Sequence, residues 1–161
     1  MKNDCVPTSA ANVLMYWDKN GFPNMSSTNS WKTVANRIGV IMGHTDSSGV
    51  SRSKIVSGLK SFIKERGYSS SFTISRDTTP TFKEMKTLIN GGDPSMMSTN
   101  GWQTQKGGHN ITLVGYEEYY DLGKFKWYRS VIVRDNWGST PKDVWFSFNS
   151  VDVDDIYKIV E

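Results

Sequence analysis

The stretch NDCVPTSAANVLMYW, from Asn3 to Trp17, carries the only cysteine of the chain, Cys5, at a point where a helix is expected to begin. Asp4 is placed to cap the first turn, and Pro7 is tolerated there because its missing N–H would have no partner within the helix. The stretch therefore predicts a helix that buries one face and holds a thiol at its N-terminus. Apolar residues recur at helical spacing along that face, at Val6, Ala10, Val13, Leu14 and Trp17.

The remaining segments predict helices first and strands later. Helical spacing recurs in residues 30–42, 51–67 and 78–92, and the first of these has an apolar stripe formed by Trp31, Val34, Ile38 and Ile41. Runs rich in β-branched and aromatic residues predict strands at 70–75, 94–99, 109–120, 126–137, 143–148 and 155–160. This order predicts an α+β domain, with a helical lobe at about 1–91 and an antiparallel β lobe at about 92–161.

Composition narrows the classes of function. A length of 161 residues suits one domain, and a net charge of +3 from scattered Lys and Arg argues against nucleic acid binding. No apolar run approaches the roughly 20 residues of a membrane span, and the opening MKND is not a signal peptide. One cysteine and two histidines form no metal-binding motif, and DVDD at 152–155 predicts a solvated turn rather than a calcium loop. We expect a monomer without a metal or another cofactor.

The position of Cys5 suggests nucleophilic chemistry, because the partial positive charge of a helix N-terminus stabilises a thiolate. Such a thiol also needs a base. His109 follows two glycines and begins an apolar strand, so a rigid element would hold its ring, whereas His44 lies in a loop of glycine, serine and threonine. His109 is therefore the candidate base. The alternative for Cys5 is a buried small hydrophobe, and for His109 a structural hydrogen-bonding group.

A residue that orients the imidazole is expected at the end of a neighbouring strand. In SVIVRDNWGS, Asp135 follows such a strand and is the candidate acceptor from the ring, and Trp137 is placed to cover that hydrogen bond. Asn136 competes with Asp135 for the position, because a shift of one residue exchanges the faces of a strand. The alternatives are that Asp135 caps a turn and that Trp137 belongs to the core.

These three motifs resemble those of papain-like cysteine peptidases, in particular the bacterial group related to bacteriocin-leader (double-glycine) processing peptidases, cysteine peptidase family thirty-nine. NDCVPTSAANVL resembles the nucleophile helix of that group, GGHNITLVGY its histidine strand and VRDNWGS its acid motif. The resemblance implies a papain-like fold with a cleft between the lobes. It also implies that Cys5 is the nucleophile, His109 the general base and acid, and Asp135 the orienting residue.

The chain departs from the family pattern in two places. The family usually has a glutamine about six residues before the cysteine that donates to the oxyanion, and this sequence starts too late to contain it. Either the chain is trimmed or another group donates. The Cys5 backbone N–H is one such donor, and Asn3 and Gln103 are candidates for the second. The small residue usually found after the cysteine is replaced by Val6 and Pro7, which narrows the approach to the thiol.

The sequence therefore predicts a cysteine peptidase acting on a peptide or protein through a thioester intermediate. Two alternatives remain open at this point. The same triad can run acyl transfer or amidase chemistry of the transglutaminase kind, and an inactive papain-like domain can bind peptides or cell wall. Free-standing relatives are often exported by Gram-positive bacteria, so we expect a secreted or cell-surface protein, with a cytoplasmic location as the alternative.

Overall fold

The computed structural model describes residues 3–101, 108–148 and 153–161. Within them the helices are α1 (Cys5–Lys19), α2 (Trp31–Met42), α3 (Arg52–Glu65) and α4 (Phe82–Gly91). The strands are β1 (Thr73–Asp77), β2 (Ser95–Thr99), β3 (His109–Asp121), β4 (Lys126–Arg134), β5 (Val144–Ser147) and β6 (Val153–Val160).

The strands form one six-stranded sheet in the order β1-β6-β2-β3-β4-β5, and every neighbouring pair is antiparallel. The predicted α+β class is therefore confirmed. One strand from before Gly91, β1, joins the edge of this sheet by pairing with β6. The division into lobes near residue 91 stays a prediction.

Helices cover both faces of the sheet. Successive side chains of a strand point to opposite faces, so each strand contributes to the packing on both sides. Met96 packs into a core with α1, α2 and α3, whereas its neighbour Met97 packs into a second core with α4. Tyr157 and Ile156 in β6 divide in the same way. The first core anchors α1, which carries Cys5 at its first position.

Two of the helices have a capping residue at each end. The Ser30 hydroxyl accepts a hydrogen bond from the backbone of Thr33, and Thr81 accepts one from Glu84 at 3.2 Å. Both hydroxyls satisfy N–H groups that have no partner within the helix. At the other ends, Gly43 and Gly92 adopt the left-handed φ angles of 70° and 83° that close a helix.

The apolar stripe of α2 is only partly buried. Val34 and Ile38 lie in the core, but Trp31, expected on the same face, is 42% exposed. Helical spacing assigns a residue to a face, and it does not show how far along the helix that face is covered.

The predicted solvated turn at 152–155 is wrong for the residues of it that are described. Asp154 and Asp155 belong to β6, and Asp155 is only 1% exposed. Its carboxylate lies 2.7 Å from Nε of Arg76 and 3.3 Å from Nη1 of Arg52, and these two cations offset the cost of burying its charge. Asp152 lies outside the described residues.

The described residues contain neither a cluster of metal-binding side chains nor a membrane-spanning helix. No group of three His, Cys, Asp or Glu side chains there is placed to hold a metal ion. None of the described helices has the length and apolar character needed to cross a bilayer.

Two helical glycines provide a test of the packing between α2 and α3. A methyl group at Gly58 would overlap with Cγ of Met42, so we expect Gly58→Ala to lower the free energy of unfolding by about 1–3 kcal/mol. A methyl group at Gly39 would lie 3.4 Å from Cγ of Pro7, an ordinary contact. Gly39→Ala should therefore raise stability by up to about 1 kcal/mol through helix propensity. Urea unfolding of both variants measures the difference, and equal effects would contradict this packing.

Candidate active site

Cys5 is the first residue of α1, and its side chain is partly buried. Burial raises the pKa of the Cys5 thiol, whereas the N–H groups of Asn110, Val6 and Cys5 oppose that rise. The carboxylate of Asp4 raises the pKa further. The largest opposing contribution comes from Asn110 in β3 rather than from α1, and because desolvation outweighs all of these contributions the resting thiol keeps its proton.

Asp4 precedes α1 without capping it. Its φ and ψ angles are −96° and 17°, and its side chain makes no cap hydrogen bond. A capping side chain usually reaches the second or third helical N–H from an extended backbone, which Asp4 does not adopt. The predicted cap is therefore wrong. The negative charge of Asp4 acts on the thiol instead.

The His109 ring is held at the first residue of β3, where the side chain is buried. Its Nε2 lies 2.7 Å from the backbone carbonyl oxygen of Asp135. A carbonyl oxygen can only accept, so Nε2 donates, and the basic lone pair of the neutral ring is then at Nδ1. Burial lowers the pKa of His109, and the hydrogen bond and charge of Asp135 only partly oppose this. The resting ring is therefore neutral.

The Asp135 carboxylate serves the turn that follows β4. Its Oδ1 accepts from the backbone N–H of Trp137 at 3.2 Å and from the hydroxyl of Thr140 at 2.6 Å. Its Oδ2 is buried without a hydrogen-bond partner among the described residues. Asp135 is thus the residue next to the imidazole, as its position in the sequence suggested, but it meets the ring through its backbone. The hydrogen bonds of the carboxylate also agree with the alternative that Asp135 caps a turn.

Asn136 does not reach the imidazole and instead ties α1 to β3. Its Nδ2 lies 2.8 Å from the Ser9 hydroxyl and 3.0 Å from the Asn110 carbonyl oxygen. Its Oδ1 accepts from Nδ2 of Asn12 at 3.0 Å. The backbone is left-handed there, with φ of 69°, a conformation that asparagine tolerates better than most residues. These bonds hold the helix with the thiol against the strand with the imidazole.

Trp137 covers the imidazole. The two ring centroids are 5.4 Å apart, and the planes are tilted by 42°. Trp137 also packs against the core formed with α4, so the predicted cover and the core alternative both describe it.

A cavity of about 510 Å³ opens between α1 and the sheet, and both Cys5 and His109 line it. Asn3, Asn136 and Trp137 line it too, whereas Asp135 does not. Gln103 lies outside the described residues. Other walls of the cavity are formed by Ser47, Ser48, Gly49, Arg52, Ser98, Gly108 and Asn110.

The loop after α2 supports the rim of this cavity at Asn3. The Asn3 side chain donates to the carbonyl oxygen of Asp46 at 2.9 Å. Gly49 has φ of 69°, and a Cβ there would lie 3.0 Å from the Asn3 carbonyl oxygen. Only glycine combines this backbone angle with so close an approach. The loop therefore fixes the backbone that leads into Cys5.

Sequence reasoning missed the polar side chains between the layers. Asn12 donates to both Asn136 and Thr112, and the buried Asn110 donates to Ser98 at 2.9 Å. The signal in the sequence is Asn12 itself, a polar residue inside the apolar run AANVL. A buried amide needs partners, so such an interruption indicates a hydrogen bond to another element.

Comparison with known proteins gives one result. The family model described as the Peptidase_C39 like family matches residues 1–159. This match confirms the resemblance found in the three motifs. Searches of curated proteins and of solved structures found no match.

The protonation states lead to a prediction for thiol labelling. Because the pKa of Cys5 is raised and that of His109 is lowered, the free protein should not hold a thiolate–imidazolium pair. The iodoacetamide rate should therefore be low near neutral pH and rise about tenfold per pH unit as the thiolate fraction grows.

The control for this measurement is the same chain unfolded in urea, whose single thiol should have a pKa of about 8.5. The folded protein should reach its plateau at higher pH than the unfolded one. A rate plateau extending into the acid range would show an ion pair and contradict the prediction.

Proposed function

The chain belongs to the Peptidase_C39 like family, and on that premise we propose that it is a cysteine peptidase with a Cys5–His109–Asp135 triad. The family suggests cysteine peptidase activity, and the assignment of residues is our proposal. The observation that carries it is the shared cavity: the thiol at the start of α1 and the imidazole at the start of β3 line the same 510 Å³ space. Residues 104 positions apart in the sequence thus line one cavity.

We propose that His109 acts through Nδ1, since Nε2 is held by Asp135. Nδ1 takes the thiol proton as sulfur attacks the peptide carbonyl carbon, and a thioester forms when the C–N bond breaks. The imidazolium then gives its proton to the leaving amine. A water molecule, deprotonated by His109, hydrolyses the thioester and releases the acid. Since both groups are neutral at rest, the proton moves during the attack.

The backbone N–H groups around the Cys5 sulfur support a site for the oxyanion at the helix N-terminus. We propose Asn3 as the second donor, because it lines the cavity and only one of its two amide protons is needed for the bond to Asp46. Gln103 stays the other candidate.

We also propose that the arrangement of layers is papain-like. The helix that carries Cys5 packs with α2 and α3 on one face of the antiparallel sheet, and His109 begins a strand of that sheet. The cavity between these two layers is where the substrate peptide would bind.

Replacing the nucleophile tests the proposal directly. We expect Cys5→Ala to abolish hydrolysis of an unstructured peptide, because no other described residue can form the thioester. Serine at position 5 provides a matched polar control that should also be inactive. Circular dichroism and thermal unfolding should show that both variants keep the fold. If Cys5→Ala cleaves peptides as fast as the parent, the assignment is wrong.

Asp135→Asn distinguishes the backbone of Asp135 from its carboxylate. The carbonyl that accepts from His109 is retained, and an amide oxygen can still accept from Trp137 and Thr140. We expect kcat/KM to fall by less than about tenfold, whereas the corresponding change in a serine-protease triad, where the carboxylate itself holds the ring, costs about 10⁴. A loss of that size would show that the carboxylate orients the ring. Asp135→Ala, which also removes the bonds of the turn, is the control for stability.

The second candidate is an inactive domain that binds peptides, and the raised pKa of Cys5 favours it. An epoxide inhibitor separates the two possibilities. It should alkylate Cys5 in a working active site and should leave Cys5 unmodified in a domain that only binds peptides. For an active site, adding an amine acceptor shows whether the thioester goes to water or to the amine. A product containing the amine would favour acyl transfer.

A further inference from the structure

We propose that the end of the β3–β4 hairpin, residues 119–129, docks on the surface of an anionic lipid bilayer. We call this segment the hairpin tip. Its turn exposes Leu122 and Phe125, whose side chains are 76% and 81% exposed. No other large hydrophobic side chain in the described parts of the chain is as exposed. Two such side chains at the apex of a turn form an apolar surface that no described residue covers.

The turn holds these two side chains in a defined geometry. Oδ1 of Asp121 accepts from the backbone N–H groups of Gly123 and Lys124, at 2.9 and 3.1 Å. Phe125 has φ of 50°, in the left-handed region that is unfavourable for a bulky residue. The turn between β3 and β4 imposes this backbone angle, and the Phe125 side chain stays exposed there.

Aromatic pairs flank the apex. Tyr119 and Tyr128 stack with ring centroids 5.0 Å apart, and Tyr120 and Trp127 meet at 5.2 Å. Tyr and Trp are enriched where membranes meet water, because their rings are apolar and their polar groups remain hydrated. The hairpin tip thus has an apolar apex followed by a layer of Tyr and Trp. A bilayer surface has the matching sequence of an apolar interior followed by a hydrated interface.

The charge of the hairpin tip selects the kind of bilayer. Residues 119–129 contain three basic side chains and one acidic side chain, Asp121, but Arg129 pairs with Glu118 at 3.5 Å, so the positive charge at the apex comes from Lys124 and Lys126. Nζ of Lys124 and of Lys126 lie 5.9 and 5.4 Å from the ring centre of Tyr128, which places both cations beside the aromatic layer. Anionic headgroups attract basic residues close to the membrane surface. A convex apex of this kind enters a soft interface, whereas a protein partner would need a matching groove.

Docking at the tip leaves the cavity open. β3 runs from His109, which lines the cavity, to Asp121 at the turn, and 13 residues of strand span roughly 40 Å. The bilayer would thus hold the protein by one end while peptides reach the other. Membrane docking does not require the chemistry proposed for Cys5.

Co-sedimentation with vesicles tests the proposal. The full chain should bind vesicles of phosphatidylcholine and phosphatidylglycerol and bind pure phosphatidylcholine more weakly. Leu122→Ser with Phe125→Ser should weaken binding at least about tenfold, because the apolar area lost is that of two large side chains. Replacing Lys124 and Lys126 by Gln should cost about fivefold per residue on the anionic vesicles.

Matched controls keep the result specific. Val40→Ser removes a side chain that is 71% exposed on α2, and Lys60→Gln removes one charge from α3; neither should change binding. Cys5→Ala should bind as the parent does, and the tip variants should cleave soluble peptide at the parental rate if the chain is a peptidase. Failure of catalysis and failure of docking are therefore separate results.

Three outcomes would overturn the proposal: no binding to anionic vesicles, binding that the tip variants leave unchanged, or binding that Val40→Ser weakens equally. A fourth is self-association. If ultracentrifugation shows a dimer that Leu122→Ser with Phe125→Ser disperses, and vesicles do not bind, the tip is an interface between two copies of the chain.

Discussion

The geometry of the cleft depends on one half-buried amide, the side chain of Asn136. It bonds to Ser9 in α1 and to the carbonyl oxygen of Asn110 in β3, and it accepts from Asn12. Apolar packing sets the distance between two layers, but it has no direction and lets a helix slide along a sheet. Hydrogen bonds restrict that sliding, because they weaken steeply with angle and distance. The thiol of Cys5 and the ring of His109 keep their relative position through this tie.

The same layers that create the cleft also restrain its chemistry. Enclosing Cys5 removes water, which raises the pKa of the thiol, and enclosing His109 lowers the pKa of the imidazole. Both shifts disfavour charge, so the neutral pair is the resting state. The backbone N–H groups around sulfur act in the opposite direction. They would stabilise negative charge that develops during an attack, and they are already in place before it. Burial therefore keeps the thiol unreactive in the free protein without removing the groups that favour the reaction.

The sequence predicted which segments form helices and strands, and which residues lie near each other, more reliably than which atoms form the hydrogen bonds. The helix that begins at Cys5, the existence of α2, α3 and α4 and the strand of His109 follow from the spacing of apolar residues, and the structure confirms them. The acceptor from His109 proved to be a backbone carbonyl, which any residue at position 135 would carry, so no residue type could signal it. Asp155 was misjudged for a related reason. Its partners Arg52 and Arg76 lie 103 and 79 residues earlier, and only the fold brings them to β6.

An irregularity in β3 makes the two ends of that strand compatible. Ile111 and Leu113 face the core with α4, and strict alternation would then direct Tyr116 away from it. The register shifts between Leu113 and Gly115, and one extra residue reverses the alternation. Tyr116 consequently packs against the same core, and Glu118 reaches Lys86 of α4 at 3.0 Å. The first half of β3 thus places His109 at the cavity, and the second half packs against the core with α4 before the chain reaches the exposed turn. The bulge lies between the half of β3 that begins at His109 and the half that carries Tyr116 and Glu118, and it lets both halves face the core with α4.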